Sequence, residues 1–258
     1  MALKGFTVDS MLVRHSLSLT MGRNLSIRRM VNEIEDLIKQ HSIGGFAQPQ
    51  LIPVPDELDA EIPRMVFTSR GGHTQVVVSQ VSVTFNANYS PDWAEDSDRC
   101  REYLLSKVDL LFKIASAGWR SAAPHFAGVT TVFRVAADSR RESVALLAPA
   151  FADRQRLTAS ANELSCRWSL DEQDRFFNNV ALQTFITLNE ESANSADGIP
   201  RINEDTIGSC GVEIVGDYND RLAFNARPQY STNATTVKEM LAAGYEAARN
   251  AVETLRQG

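Results

Sequence analysis

Read in twos, residues 75–89 (QVVVSQVSVTFNANY) separate into two faces. Val77, Val81, Val83, Phe85 and Tyr89 fall on one. Val76, Val78, Gln80, Ser82, Thr84, Asn86 and Asn88 fall on the other, which from Gln80 onward is a continuous row of amides and hydroxyls. A period of two with one polar face predicts a strand packed on a core from one side only. At about 3.3 Å per residue it would run roughly 45–50 Å, so the pattern also predicts a bulge or bend within it.

Residues 6–20 alternate imperfectly, with Met11, Val13, Leu17 and Leu19 sharing a parity with Asp9 and His15, and predict a first strand with polar interruptions. Ser26 then stands where it can cap a helix whose Ile27, Met30, Val31, Ile34, Leu37 and Ile38 recur at three-and-four spacing, with Gly44-Gly45 at its end. Residues 46–63 hold four prolines among acidic side chains and predict an extended surface connection. Strand 64–69 is separated from the long strand by Arg70-Gly71-Gly72-His73, a hairpin signal. Pro91-Asp92 opens a helix expected to run to Gly118, with Asp92, Glu95, Asp96 and Asp98 at the positive end of its dipole. Residues 126–137 read as a strand carrying Arg134 on its polar parity, and residues 143–153 as a short helix ended or bent at Pro149.

A second hairpin is predicted from residues 164–170 and 175–190, joined near Asp171-Glu172-Gln173-Asp174. In its longer arm Phe176, Val180, Leu182, Ile186 and Leu188 face one way, and Phe177, Asn179, Gln183, Thr187 and Asn189 the other. That repeats the layout of the first long strand and points to two related halves, residues 1–138 and 139–258, sharing one continuous sheet. Residues 191–205 predict a polar loop. Short strands are expected at 211–215 and 221–227, turning at Asp217-Tyr218-Asn219-Asp220. Thr236 and Glu239 match a capping box for a last helix, whose Val237, Leu241, Gly244, Ala248, Ala251 and Leu255 form a narrow face suited to close packing on the sheet. The expected fold is α+β in two layers: a long, curved antiparallel sheet with helices on one face and the other face left open.

Composition narrows the function classes. With 43% hydrophobic residues in 258, the chain can bury one large or two modest cores. No apolar run approaches the roughly 20 residues of a membrane helix, and Asp9, Arg14 and His15 interrupt the start, so a cytoplasmic protein without a membrane partner is expected. Cys100, Cys166 and Cys210 are too widely spaced for a CxxC site or a disulfide framework. A net charge of −6 gives nucleic acid no general attraction.

Candidate chemistry is sparse. His15, His41, His73 and His125 show no metal-site spacing, so neither a metal nor a cofactor is expected. The acyl-transfer, P-loop, dinucleotide and kinase signatures are absent, His73-Thr74 has no second copy, and no catalytic residue is assigned. Glu213, Asp217 and Asp220 stand near an expected turn, without the spacing of a calcium loop. Two surfaces remain. The amide row of Gln80, Ser82, Thr84, Asn86 and Asn88, with Arg134, Asn179 and Gln183, presents donors and acceptors for a partner or ligand without the cost of desolvating a charge. Alternatively Arg70, Gly71, Gly72 and His73 form an anion site, with glycine amides as a nest and two basic side chains beside it.

The segment PRMVFTSRGGHTQVVVSQVSVTFNANYSPDW, followed by a long helix, resembles the core segment of a sporadically distributed family of uncharacterised bacterial proteins of about this length. The resemblance covers the first half and lends no catalytic residues. It implies a bacterial cytoplasmic protein from a mobile-element or defence gene set. The function expected is a non-enzymatic interaction module that uses the polar sheet face, or a sheet edge, to hold a protein partner or a second copy. The alternative is a nucleic-acid or nucleotide-binding or processing component with Arg70, His73 and Arg134 near the phosphates.

Overall fold

The computed structural model describes residues 10–41, 45–120, 122–151, 154–189 and 202–257. The expected strand start at Phe6, Gly44, and most of the polar loop (residues 191–201) lie outside them. Nine strands make one open sheet: β1 (Ser10–Thr20), β2 (Gln50–Leu51), β3 (Met65–Thr68), β4 (Thr74–Val78), β5 (Ser82–Asn88), β6 (Phe126–Ala137), β7 (Ser165–Glu172), β8 (Phe176–Leu188) and β9 (Ile207–Asn219). Their order is β2-β3-β4-β5-β1-β6-β9-β8-β7, and every pairing is antiparallel.

The helices are α1 (Val31–His41), α2 (Pro91–Ala94), α3 (Ser97–Leu105), α4 (Val108–Gly118), α5 (Arg140–Leu147), α6 (Arg154–Ser160), α7 (Arg221–Ala226) and α8 (Ala234–Gln257). Outward from the central β1/β6 pair the strands run β1-β5-β4-β3 on one side and β6-β9-β8-β7 on the other. Each set reads strand, helix, three antiparallel strands, helix, with β2 an addition to the first. By this order the two sets meet between β1 and β6.

One parity of the inner strands is buried: Leu17 and Leu19 on β1, Val83, Phe85 and Ala87 on β5, Val129 and Val135 on β6, Val212 and Ile214 on β9. The helices cover this face. Ile34 and Ile38 of α1, Leu111 and Ile114 of α4, and Val237 and Leu241 of α8 complete one cluster with it. A second cluster gathers Leu12, Phe133, Val180, Ile214, Leu147 and Tyr245. Each cluster draws side chains from both sets, so burial, the dominant favourable term, ties the sets together. Gly244 permits the closest contact between layers, since a Cβ there would lie 2.8 Å from Tyr218 Cβ.

Several expectations change. The stretch 75–89 is not one strand but the hairpin β4–β5, folded at Ser79, Gln80 and Val81. Ser79 makes the turn without glycine or proline: its Oγ accepts from the amides of Val81 (3.1 Å) and Ser82 (3.0 Å), and its own amide donates to Ser82 O (2.9 Å). The fold reverses the parity, so Val76 and Val78 join Val83 and Phe85 in the core. A bulge at Val13 explains the imperfect first strand, because it brings Leu12 onto the face of His15, Leu17 and Leu19.

The helix expected from 92 to 118 is broken into α2, α3 and α4. Glu95 follows the last residue of the first piece and Asp96 caps the second, its Oδ1 accepting from Arg99 N at 3.0 Å. Residues 211–215 belong to the 13-residue β9, and within 221–227, where a strand was expected, Arg221–Ala226 form α7. Asn233 caps α8 in place of the Thr236–Glu239 box, with its Oδ1 accepting from Thr236 N at 3.0 Å. Ser26 makes no side-chain cap and precedes a 3-10 turn.

Candidate functional site

The open sheet face is polar, and it is already bonded to itself. Ser16 Oγ donates to Asn86 Oδ1 (2.8 Å), and the Ser18 and Thr84 hydroxyls meet at 2.9 Å across β1 and β5. On the other wing Arg134 Nε bonds Glu213 Oε2 at 2.9 Å, and Gln183 Nε2 donates to Glu213 Oε1 at 3.0 Å. Asp217 Oδ2 accepts from Asn179 (2.9 Å) and Asn219 (3.0 Å). Of the expected row, Ser82, Thr84 and Asn86 are half-buried on this face and Asn88 is exposed at its end. Gln80 is not on it. It is fully buried at the β4–β5 turn, where it accepts from Arg23 Nε (3.0 Å) and donates to Asp56 O (3.0 Å).

Arg134, Asn179 and Gln183 therefore lie together on the second wing, apart from Ser82, Thr84 and Asn86 on the first. Glu213 and Asp217, near the expected turn, are thus engaged in these bonds, and Asp220 is engaged as well. Asp220 is buried, accepting from Ala127 N (2.7 Å) and Tyr230 Oη (2.6 Å). Among the described residues no group of three or more His, Cys, Asp or Glu side chains is arranged to hold a metal, and no helix is long and apolar enough to cross a membrane.

The two outer edges of the sheet differ. β2 is two residues long, and the proline-rich connection after it is pinned from below. Arg64, fully buried, donates to Ile62 O (2.7 Å), Pro55 O (3.3 Å) and Asp59 O (3.3 Å), while Arg28 donates to Ile52 O (2.9 Å). β7 at the far side is eight residues long, exposed along most of both faces, and pairs only with β8 among the described residues. Opposite β8 it sets Cys166 against Leu182, Trp168 against Val180 and Leu170 against Asn178. Those three side chains share the parity of the core, yet Trp168 is 38% and Leu170 49% exposed. Sequence reading placed this hairpin and missed its significance; the signal was available in Arg167-Trp168-Ser169-Leu170-Asp171, where charge and apolar bulk are arranged symmetrically about Ser169.

The other expected site, Arg70-Gly71-Gly72-His73, is the β3–β4 turn, with Gly72 at φ +76° as the tight reversal requires. Gly72 N donates to Ser69 O (2.8 Å) and Arg70 N to Gly45 O (3.3 Å), so two of the turn's amides are spent within the fold. Arg70, Gly71 and His73 line a cavity with Trp93, Tyr103 and Lys107, three residues that sequence reading assigned to no site.

Behind that cavity lies a buried polar cluster. Tyr89 Oη donates to Cys100 O (3.0 Å) and lies 3.3 Å from His15 Nδ1. Burial pulls the His15 pKa down to about 4 and pushes the Cys100 thiol up to about 12. Both are neutral near pH 7, which suits packing and leaves no activated nucleophile there. No family model and no curated protein matches this chain, so its surfaces are read from their geometry.

Proposed function

We propose that the chain is an interaction module that holds a second copy of itself through the outer edge of β7. The observation that carries this reading is the composition of that edge. A long strand with unsatisfied backbone groups on its outer side and exposed apolar side chains is a template for another strand, and natural proteins normally blunt such edges. β2 is blunted in this way, and β7 is not.

An antiparallel pair of β7 strands related by a twofold axis at Ser169 is self-complementary. Arg167 then stands opposite Asp171 of the copy, and Trp168 opposite Leu170 of the copy, each pair occurring twice. Facing pairs of opposite charge, or of aromatic with aliphatic, contribute about 0.2–1 kcal/mol each beyond the strand hydrogen bonds. Pairing would also extend the core-side row of Cys166, Trp168 and Leu170 across the junction. The open polar face fits this role less well, since its side chains satisfy one another. A nucleic-acid reading finds less support still: Arg134 is committed to Glu213, far from Arg70 and His73, which sit on a cavity rim.

A symmetric register gives a specific test. Ser169→Cys in a Cys166→Ser background places two thiols opposite each other, within the distance a disulfide can span. Mild oxidation should yield a covalent dimer from that variant, whereas Arg167→Cys in the same background should give little. Equal cross-linking of both, or of neither, counts against the register.

A further inference from the structure

The cavity beside the β3–β4 turn, about 290 Å³, combines two kinds of wall. Its inner wall is aromatic. Trp93 and Tyr103 meet edge to face with centroids 5.7 Å apart, Tyr89 stacks on Trp93 at 6.3 Å with the rings nearly parallel, and Phe85 lies 6.1 Å from Tyr103 beneath them. Its rim is basic: Arg70 and His73 from the turn, and Lys107 from the break between α3 and α4.

Charge is distributed unusually here for a chain of net −6, because among the described residues no aspartate or glutamate lines the cavity. Among the described residues Arg70, His73 and Lys107 have no acceptor for their side-chain donors. Lys107 Nζ lies over the Tyr103 ring at 4.7 Å, and burial lowers its pKa with no carboxylate to offset the cost. The Arg70 guanidinium reaches back over Gly45, where a Cβ would come within 3.4 Å of Nε. Gly45 itself has φ +76°, so this wall depends on the absence of a side chain.

We propose that this cavity binds a small aromatic phosphate monoester, its ring against Trp93 and Tyr103 and its phosphate between Arg70, His73 and Lys107. Mostly apolar walls with a few convergent polar groups are what small-ligand sites present. A phosphate offers three acceptor oxygens to three donors from separate elements, and guanidinium and ammonium groups are the side chains best suited to it. A flat ring matches the aromatic lining of Trp93 and Tyr103, where the Arg99 guanidinium already lies 3.7 Å over Trp93 and Lys107 lies over Tyr103. The site is at the opposite wing of the sheet from β7, so ligand binding and self-association are separable.

Titration calorimetry with phenyl phosphate, inorganic phosphate, benzoate and benzyl alcohol tests the assignment. Phenyl phosphate should bind saturably and about ten-fold or more tighter than inorganic phosphate or benzyl alcohol, since each lacks one half of the recognition. Arg70→Ala, at an exposed turn, and Lys107→Met should each weaken phenyl phosphate about ten-fold. Tyr103→Leu should weaken phenyl phosphate while leaving inorganic phosphate unchanged, and Trp168→Lys on the distant edge should alter neither. Absence of saturable phenyl phosphate binding, or binding indifferent to both Arg70→Ala and Lys107→Met, overturns the site. Benzoate binding as tightly as phenyl phosphate overturns the choice of phosphate.

Discussion

The two sets of elements share an order of strands and helices, yet they finish their surfaces differently. In the first, the sheet edge is closed by the two-residue β2 and a connection tied down by Arg64, while the helical cover after β5 is broken into three pieces. In the second, the 24-residue α8 packs on the sheet, while β7 pairs on one side only among the described residues. The break between α3 and α4 holds Lys107, which lines the cavity, while on β7 Trp168 and Leu170 stay 38% and 49% exposed. One topology therefore supplies the two unlike surfaces proposed for a small molecule and for another strand.

The largest effects should come from the shared core, and they test whether the two sets form one cooperative unit. Leu17→Ala in β1 and Ile214→Ala in β9 should each cost about 2–5 kcal/mol, read as matching midpoint shifts in urea by far-UV and near-UV circular dichroism. A split transition confined to one set would break the picture of a common core.

The central strands carry facing buried polar residues that differ in titration. His15 pairs with Thr131 across β1 and β6, and among the described residues neither His15 Nε2 nor Thr131 Oγ1 has a hydrogen-bond partner. With a folded pKa near 4 against an ordinary 6.5, His15 takes up its proton more readily in the unfolded chain. The unfolded state thus binds more protons between those values, and stability falls as pH drops through that window, by up to about 3 kcal/mol. His15→Leu should flatten this part of the pH–stability curve, while Thr131→Val should leave its shape unchanged.

At the covered edge Arg64→Met removes the donor of three backbone carbonyls and should cost about 2–3 kcal/mol, with faster amide exchange in residues 52–64. At the continuous helix Gly244→Ala sets two effects against each other. Alanine favours a helix interior by about 1 kcal/mol, but its Cβ meets Tyr218 Cβ, which cannot swing away. The contact should win, giving a net loss of about 1–2 kcal/mol in thermal or urea unfolding.

Much of the layout was legible in the sequence because its signals are local. Gly71-Gly72 marked one hairpin, and alternation in residues 164–190 marked another, whose turn takes positive φ at Gln173 and Asp174. The small-residue face of α8 did pack on the sheet through Gly244 and Ala248. What stayed hidden depends on contacts between distant residues. The turn at Ser79 is held by Arg23, Asp56 and Ala60 as well as its own hydroxyl, and the residues Ser-Gln-Val announce nothing. The cavity likewise needs Lys107, Trp93 and His73 brought together from three elements. On the open face the polar row was recognisable, but its mutual hydrogen bonding depends on strand neighbours that alternation alone does not name.

The most direct test is the mass of the protein in solution as a function of concentration. Sedimentation velocity on the intact chain should show a reversible monomer–dimer equilibrium, and Trp168→Lys or Ser169→Pro should leave only monomer with the circular dichroism spectrum unchanged, because charge or proline on an edge strand blocks pairing. A chain that stays monomeric at the highest soluble concentration, or a dimer indifferent to both substitutions, would contradict the assignment of β7 as the working edge.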